Sequence, residues 1–361
     1  MSRNSFIGLC LATVIALALA VLSVMRQPTI RSADLTGEPV LPGLADRLNG
    51  LKSVVVKGSD GTMTFDWDGK TFVSRDRGGF PADTEKLSGL VIQMTRLVKL
   101  EAKTSVAEKL DRLDLNDPTA KDSRAKEIVL LDRDGKTIAD LIVGKRKFTL
   151  GGKESGTYVR LPGDNQSWLA LGELSPGPKA RDWLKRDIAD VKDKSIKRVT
   201  VVHPDGEKVV VGKLSAKDAA FKIENLPGGK QPASDFVADE YGRVLAVLLL
   251  DDVAKADTIP FPKDKTTTAE VDTFEGLHVT LQIVEKGGNT WMKIKADPPV
   301  GGMSKPASPE AMPGEPATDW GKVAADINAR ASGWVFQVPA YEVAPLKKRM
   351  SELVKKPESK S

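Results

Sequence analysis

The residues of this 361-residue chain that could do chemistry are few and scattered. His203 and His278 are its two histidines, and neither has a cysteine or a second histidine nearby. Metal sites need converging ligands. His203, just before Pro204-Asp205-Gly206, therefore reads as a turn residue, and His278 as a strand-face residue. No G-x-S-x-G elbow points to a nucleophilic serine, although a triad assembled by folding leaves no trace in sequence spacing. Gly144-Lys145 and Gly151-Gly152-Lys153 lack the earlier glycine and the following Ser/Thr of a phosphate loop, and read as hairpin turns. Asp251-Asp252 could face a cation together with Asp257, but a solvated helix end accounts for them more simply.

Two basic clusters carry more weight. One is Lys145, Arg146 and Lys147; the other is Lys347, Lys348 and Arg349, with Lys355-Lys356 beyond it. Cations grouped in this way can meet anionic lipid head groups or an acidic partner. They can also form a solvated basic edge that blocks strand pairing. The expectation is a chain without catalytic residues, cofactor or metal site, whose candidate contacts are those six cations.

The stretch that must position everything else is residues 6–25, an uncharged apolar run between Arg3 and Arg26. It matches the ~20 residues with which a helix crosses a bilayer. Ala18-Leu19-Ala20 resembles a cleavage site but lies inside the run, so the run reads as an uncleaved anchor rather than a signal peptide. The only cysteine, Cys10, lies within it, and no intramolecular disulfide can form. Basic residues are nearly balanced across the run, while the short leading flank and long trailing domain favour a cytoplasmic N-terminus. The sequence thus divides into a short cytoplasmic N-terminus (1–5), a transmembrane anchor (6–25), a linker (26–50) and a periplasmic remainder. With Arg3 and Arg26 set aside from the 54 basic residues, 52 face 49 acidic ones, a balance that argues against nucleic acid as partner.

The remainder has ordinary globular composition, 40% hydrophobic and 29% charged. Asp60-Gly61 and Asp68-Gly69 between short β-rich runs predict a three-stranded meander over 51–74. Leu87, Leu90, Val91, Met94, Leu97 and Val98 recur at helical spacing and predict an amphipathic helix over 81–100. A shorter helix over 105–115, hairpins over 126–143 and 156–171, and a short helix over 178–191 follow. A second series is then expected: a strand pair over 196–211 with a third strand after it, a helix over 232–250, and a hairpin over 277–294. A Pro-rich loop (298–318), a short helix over 319–331, a strand over 333–338 and a final amphipathic helix over 341–355 complete the chain.

The second series repeats the first. Asp60-Gly61 recurs at Asp205-Gly206, Pro81-Ala82 at Pro232-Ala233, Gly135 at Gly287, and the run 156–162 at 333–339. Four landmarks in conserved order imply internal duplication. The predicted class is α+β: two similar lobes, 51–190 and 191–361, each an antiparallel meander or hairpin sheet packed against an amphipathic helix.

The Asp-Gly meander, Pro81-Ala82-Asp83 with its leucine-rich helix, LDLNDP at 113–118, GTYVRLPGDNQSWL at 156–169 and RDWLKRDIADVKDKSIKRVTV at 181–201 resemble a bacterial family, domain-of-unknown-function family 4340. The ending WVFQVPAYEVAPLKKRM at 334–350 is in character. The family's usual aromatic-glycine-leucine pattern appears here as Leu113-Asp114-Leu115, preceded by Arg112. The family has no established catalytic residues. The resemblance implies a membrane-anchored accessory role beside an ABC-2-type permease and an auxiliary subunit of the gliding-motility kind, at the bacterial inner membrane. The alternatives are a periplasmic lipid- or glycan-binding protein and an envelope hydrolase with an unrecognised site.

Overall fold

A computed structural model describes residues 37–150, 155–300 and 318–356. The expected anchor (6–25), the Gly151-Gly152-Lys153 turn and most of the Pro-rich loop lie outside the described residues. Among the described residues, no helix is long and apolar enough to cross a membrane.

The first half forms a nine-stranded sheet from β1 (Leu51–Gly58), β2 (Gly61–Trp67), β3 (Phe72–Ser74), β4 (Phe80–Pro81), β5 (Val98–Ala102), β6 (Lys126–Asp132), β7 (Thr137–Lys147), β8 (Gly156–Arg160) and β9 (Ser167–Leu171). The spatial order is β4-β3-β2-β1-β6-β7-β8-β9-β5. A connector carries the short strand β10 (Asp187–Ala189). The second half contributes β11 (Ile196–Val202), β12 (Lys208–Gly212), β13 (Lys222–Ile223), β14 (Gln231–Pro232), β15 (Leu248–Leu249) and β16 (Asp252–Lys255). It continues through β17 (Thr267–Thr273), β18 (His278–Lys286), β19 (Asn289–Asp297), β20 (Trp334–Val338) and β21 (Val354–Lys355). Eight of these form the second large sheet, ordered β13-β12-β11-β17-β18-β19-β20-β16; β10 pairs with β15, and β14 with β21. The fold is mainly antiparallel β with few helices, a β-rich variant of the expected α+β class.

Without β4, the two large sheets have the same strand order, and each strand has a counterpart in the same place. Even an irregularity recurs: the register shifts at Leu51/Ser53 between β1 and β6, and at Ile196/Arg198 between β11 and β17. The β6–β7 and β17–β18 turns are built alike. The amides of Asp132 and Thr273 donate to Lys136 O (2.9 Å) and Leu277 O (3.0 Å), while Gly135 (φ 78) and Gly276 (φ 95) supply the left-handed residue. Strand order therefore corrects the later sequence landmarks. Gly135 answers to Gly276 rather than Gly287, and β8 answers to β19 rather than to the strand at 334–338, whose counterpart is β9. The slip arose because β17, Thr-Thr-Ala-Glu-Val-Asp-Thr, alternates too weakly to stand out in sequence.

Helix α1 (Thr84–Thr95) is capped by Asp83, whose side chain accepts from Lys86 N, and buries Leu87, Leu90, Val91 and Met94. Each such side chain contributes about 1.5–3 kcal/mol. The helix stops short of residue 100 because Val98–Ala102 instead pairs with β9 as an edge strand. Helix α2 (Trp320–Ala331) forms as expected, capped by Asp319. Its Asn328 clamps β19, donating to Ala296 O at 2.6 Å and accepting from Ala296 N at 2.9 Å.

Four other expected helices are replaced by turns and strands. Over 105–115 a 3-10 stretch forms at Ala107–Leu113, ended by Asp114 at φ 55. A glycine would adopt this conformation without strain. Over 178–191 only the turn Ala180–Asp182 is helical, because Trp183 O and Pro81 O take the amides of Asp83 (2.7 Å) and Lys185 (3.1 Å). Over 232–250 only Asp239–Arg243 is helical. There Gly242 packs so closely that a Cβ would come within 2.2 Å of the Phe221 ring, and Pro232 and Leu248 are held in strand pairs. Tyr241, Val244, Leu245 and Leu248 are buried nonetheless. Over 341–355 the chain breaks into the turns Pro345–Lys347 and Met350–Leu353 before β21.

One hydrophobic cluster runs through both halves, from Val54, Ile128 and Leu141 to Val199, Leu281 and Phe336. The sheet edges are closed. Residues 38–40 bond to Leu97 and Lys99 beside β5, Ala82 bridges Leu184 beside β4, and β13 has two residues. β16 lies against the turn Arg75–Arg77, where a Cβ on Gly78 would be 2.7 Å from Lys255 Cε. Val247 is a β-branched residue in the left-handed region (φ 55) and is 57% exposed. Such strain costs about 1–3 kcal/mol. Val247→Gly should therefore raise stability by about 1 kcal/mol, after the greater freedom of glycine in the unfolded chain. An unchanged or lower urea midpoint would show that the backbone is not strained there.

Candidate functional site

The two sheets meet where β4 touches β20. Phe80 packs edge-on against Trp334 (5.2 Å between ring centroids) and Phe336 (6.2 Å). The connector is stitched to both halves: residues 183–185 bond alongside β4, and β10 pairs with β15.

Charged side chains rim this seal. The Arg77 guanidinium grips Asp252 with both forks, Nε to Oδ1 and Nη2 to Oδ2, each at 2.9 Å. Asp251 receives Arg181 at 3.1 Å and Arg186 at 3.6 Å, and Arg186 Nε also donates to Leu250 O at 2.9 Å. The hydrogen bond to Asp252 holds the Arg77 guanidinium above its ordinary pKa against the opposing effect of burial. Burial pushes the Glu342 carboxyl up; Arg186 counters this and Asp251 adds to it. The groove beside these pairs has a volume of about 350 Å³ and is lined by Asp60, Arg77, Lys179, Arg181, Asp251 and Asp252 among others. Such a lining can hold a polar or charged ligand, whereas an apolar acyl chain would desolvate these charges.

The groove contains neither histidine nor cysteine to serve as base or nucleophile. Among the described residues, no group of three His, Cys, Asp or Glu could hold a metal ion. Asp251 and Asp252 sit at the entry to β16, not at a helix end, and their charges are met by arginines rather than left for a cation. His203 is buried, with Nε2 3.1 Å from Lys348 O, and His278 Nδ1 lies 2.7 Å from Asp272. His203 stands at the turn after β11 and His278 on β18, the places their spacing predicts.

The six candidate cations are not brought together. Lys145, Arg146 and Lys147 close β7 in the first sheet. Lys145 and Lys147 are exposed, while Arg146 pairs with Glu173 at 2.6 Å and lies over the Phe148 ring. Gly144 is no hairpin turn but lies inside β7, where a Cβ would come within 2.1 Å of Leu113 O. Lys347, Lys348 and Arg349 belong to the second half and bond acidic residues there. Lys347 reaches Glu285, Lys348 reaches Glu240 at 2.5 Å, and Arg349 reaches Asp205 and Glu207, both at 2.7 Å. These three staple the C-terminal segment to β18, to the stretch Asp239–Arg243 and to the β11–β12 turn. Sequence reasoning missed Arg77, Arg181 and Arg186; Arg77 and Asp252 are 175 positions apart, and no local pattern links them.

A charged cluster lies on the outer face of the first sheet. Glu127 accepts Lys57 at 3.0 Å and neighbours Asp140, whose Oδ1 is buried without a hydrogen-bond partner. Burial, followed by the Glu127 charge, pushes the Asp140 carboxyl up to about 6.

Fold and groove thus define a class: paired antiparallel sheets of one topology, locked by arginine–aspartate pairs across a polar cleft. The family described as a domain of unknown function (DUF4340) matches residues 74–270, and the chain belongs to it. The matched region begins in β3 and ends in β17, so it contains both partners of the Arg77–Asp252 pair. Neither a curated protein nor a solved structure matches the chain.

Breaking a partly buried pair by removing one partner leaves the other charge uncompensated. Arg77→Ala should therefore cost roughly 2–3 kcal/mol. A double-mutant cycle with Asp252→Ala should show coupling; strict additivity in urea unfolding would deny the pair its role. Asp140 is raised above its ordinary 3.8, so the folded chain holds that proton more tightly than the unfolded chain. Its contribution is fully present below pH 3.8 and is lost as pH rises through about 6. Asp140→Asn should flatten the stability profile across that window and raise stability at pH 8 by on the order of 1 kcal/mol, allowing for solvent screening. An unchanged profile would count against it.

Proposed function

We propose that this protein is a non-catalytic, membrane-anchored accessory subunit of an ABC-type export system at the bacterial inner membrane, with its body on the periplasmic side. The observation that carries this reading is the uncharged run at 6–25 ahead of a body whose groove side chains pair with one another rather than forming a nucleophile and base. An ABC-2-type permease and an auxiliary subunit of the gliding-motility kind are the proposed partners. The closed sheet edges weigh against docking by strand addition. The exposed Lys145 and Lys147 are left as the contact to an acidic partner surface or anionic lipid. The matching sheet orders support internal duplication as the origin of the two halves, with one anchor holding both.

The polar groove favours a second reading, binding of a small hydrophilic ligand such as a glycan, over binding of an acyl chain. Crosslinking mass spectrometry on native membranes separates the readings. The accessory role predicts capture of a permease or its ATPase, weakened by alanine at Lys145 and Lys147 with the fold intact. Alanine at Lys347, Lys348 and Arg349 should instead lower stability. Recovery of the chain with no transporter component attached would sink the accessory role.

A further inference from the structure

Lys126 occupies a position meant for an apolar side chain. It opens the core-facing alternation of β6, ahead of Ile128 and Leu130, both fully buried, and is itself 9% exposed. Its side chain crosses Gly58, where a Cβ would come within 2.6 Å of Nζ and 2.9 Å of Cδ, so the glycine opposite makes room for it. Among the described residues, no hydrogen bond or ion pair holds the ammonium. The neighbouring Lys57, one residue from Gly58, takes Glu127 on the opposite face of the sheet.

The ammonium borders a cavity of about 310 Å³, lined also by Arg124, Asp60, Ser59, Ser123 and Ser175 and adjoining the groove between the sheets at Asp60 and Pro178. The loop around it is already internally bonded: Ser59 Oγ donates to Ser123 O at 3.0 Å, and Ser123 Oγ donates to Asn116 Oδ1 at 3.0 Å. Arg124 is exposed and, like Lys126, unpaired among the described residues. What remains for a ligand is therefore two cations and the Ser175 hydroxyl, set against the single carboxylate of Asp60. That balance suits one negative charge better than two. The volume lies at the small end of ligand sites.

We infer that this cavity binds the singly charged oxyanion of a phosphodiester, with Lys126 and Arg124 as its anion ligands. The ammonium supplies a point charge from the cavity wall, and the guanidinium can form two parallel bonds to phosphate oxygens at its mouth. This site depends on no property of a transporter.

Calorimetric titration of the full chain in neutral detergent tests it, with glycerophosphoglycerol as the diester, glycerol 3-phosphate as the monoester, inorganic phosphate, and potassium chloride as the ionic-strength control. The diester, the head group of a phospholipid without its acyl chains, should bind. Lys126→Met should abolish binding while leaving the fold intact, because methionine keeps most of the alkyl stem that packs at Gly58. Arg124→Ala should weaken binding roughly tenfold without changing the fold. The inference is overturned if the wild-type chain gives no heat with any phosphate, or if Lys126→Met binds as the wild type does. Tighter binding of inorganic phosphate would overturn the diester assignment in favour of free phosphate, and tighter binding of the monoester would overturn it in favour of a phosphomonoester.

Discussion

The seal at the junction of the two sheets is the constraint on which the rest of the body depends. An antiparallel sheet with one apolar face must cover that face, and here each half does so within a single continuous core. Non-directional burial would allow the halves to slide against one another. The Phe80 ring wedged edge-on between Trp334 and Phe336 limits this, and the two-pronged Arg77–Asp252 contact sets the rotation. Burial supplies most of the energy, while the charged pairs supply direction, as expected for side chains about a quarter exposed.

That arrangement restricts where chemistry can occur. The acidic pair at the start of β16 is taken up by three arginines, the C-terminal cations by four carboxylates, and both histidines by backbone or carboxylate partners. The sheet edges are shielded by the leading segment, by the connector or by brevity. What stays open is a polar groove along the connector, the lysine-walled cavity beside it, and two exposed lysines at the end of β7. A surface so composed presents charge to whatever meets it.

The halves share strand order but not helices. In the first, α1 lies between β4 and β5 and buries four apolar side chains. In the second, the equivalent stretch is held open by Gly242 against Phe221 and by the strand pairs of Pro232 and Leu248, and α2 is inserted between β19 and β20 instead. The connector lies against β4 and β15, and its residues 178–181 line the groove.

Features that depend on neighbours a few residues apart were legible in the sequence. Asp60-Gly61, Asp68-Gly69, Asp134-Gly135 and Asp205-Gly206 mark turns because glycine reaches positive φ freely. Asp83 and Asp319 mark helix starts because a carboxylate can accept the first free amides. Of the hydrophobic positions expected on a helix over 232–250, Tyr241, Val244, Leu245 and Leu248 are in the core, whereas Phe236 is exposed. The helices expected there and over 341–355 do not form, because long-range bonds from Val354, Asp187 and Glu207 outcompete a short helix whose own hydrogen bonds add little net stability. The groove, the Arg77–Asp252 lock and the cavity beside Lys126 were decided only by tertiary structure. Each depends on which distant strand comes to lie alongside, and a sequence records the side chains without recording that meeting.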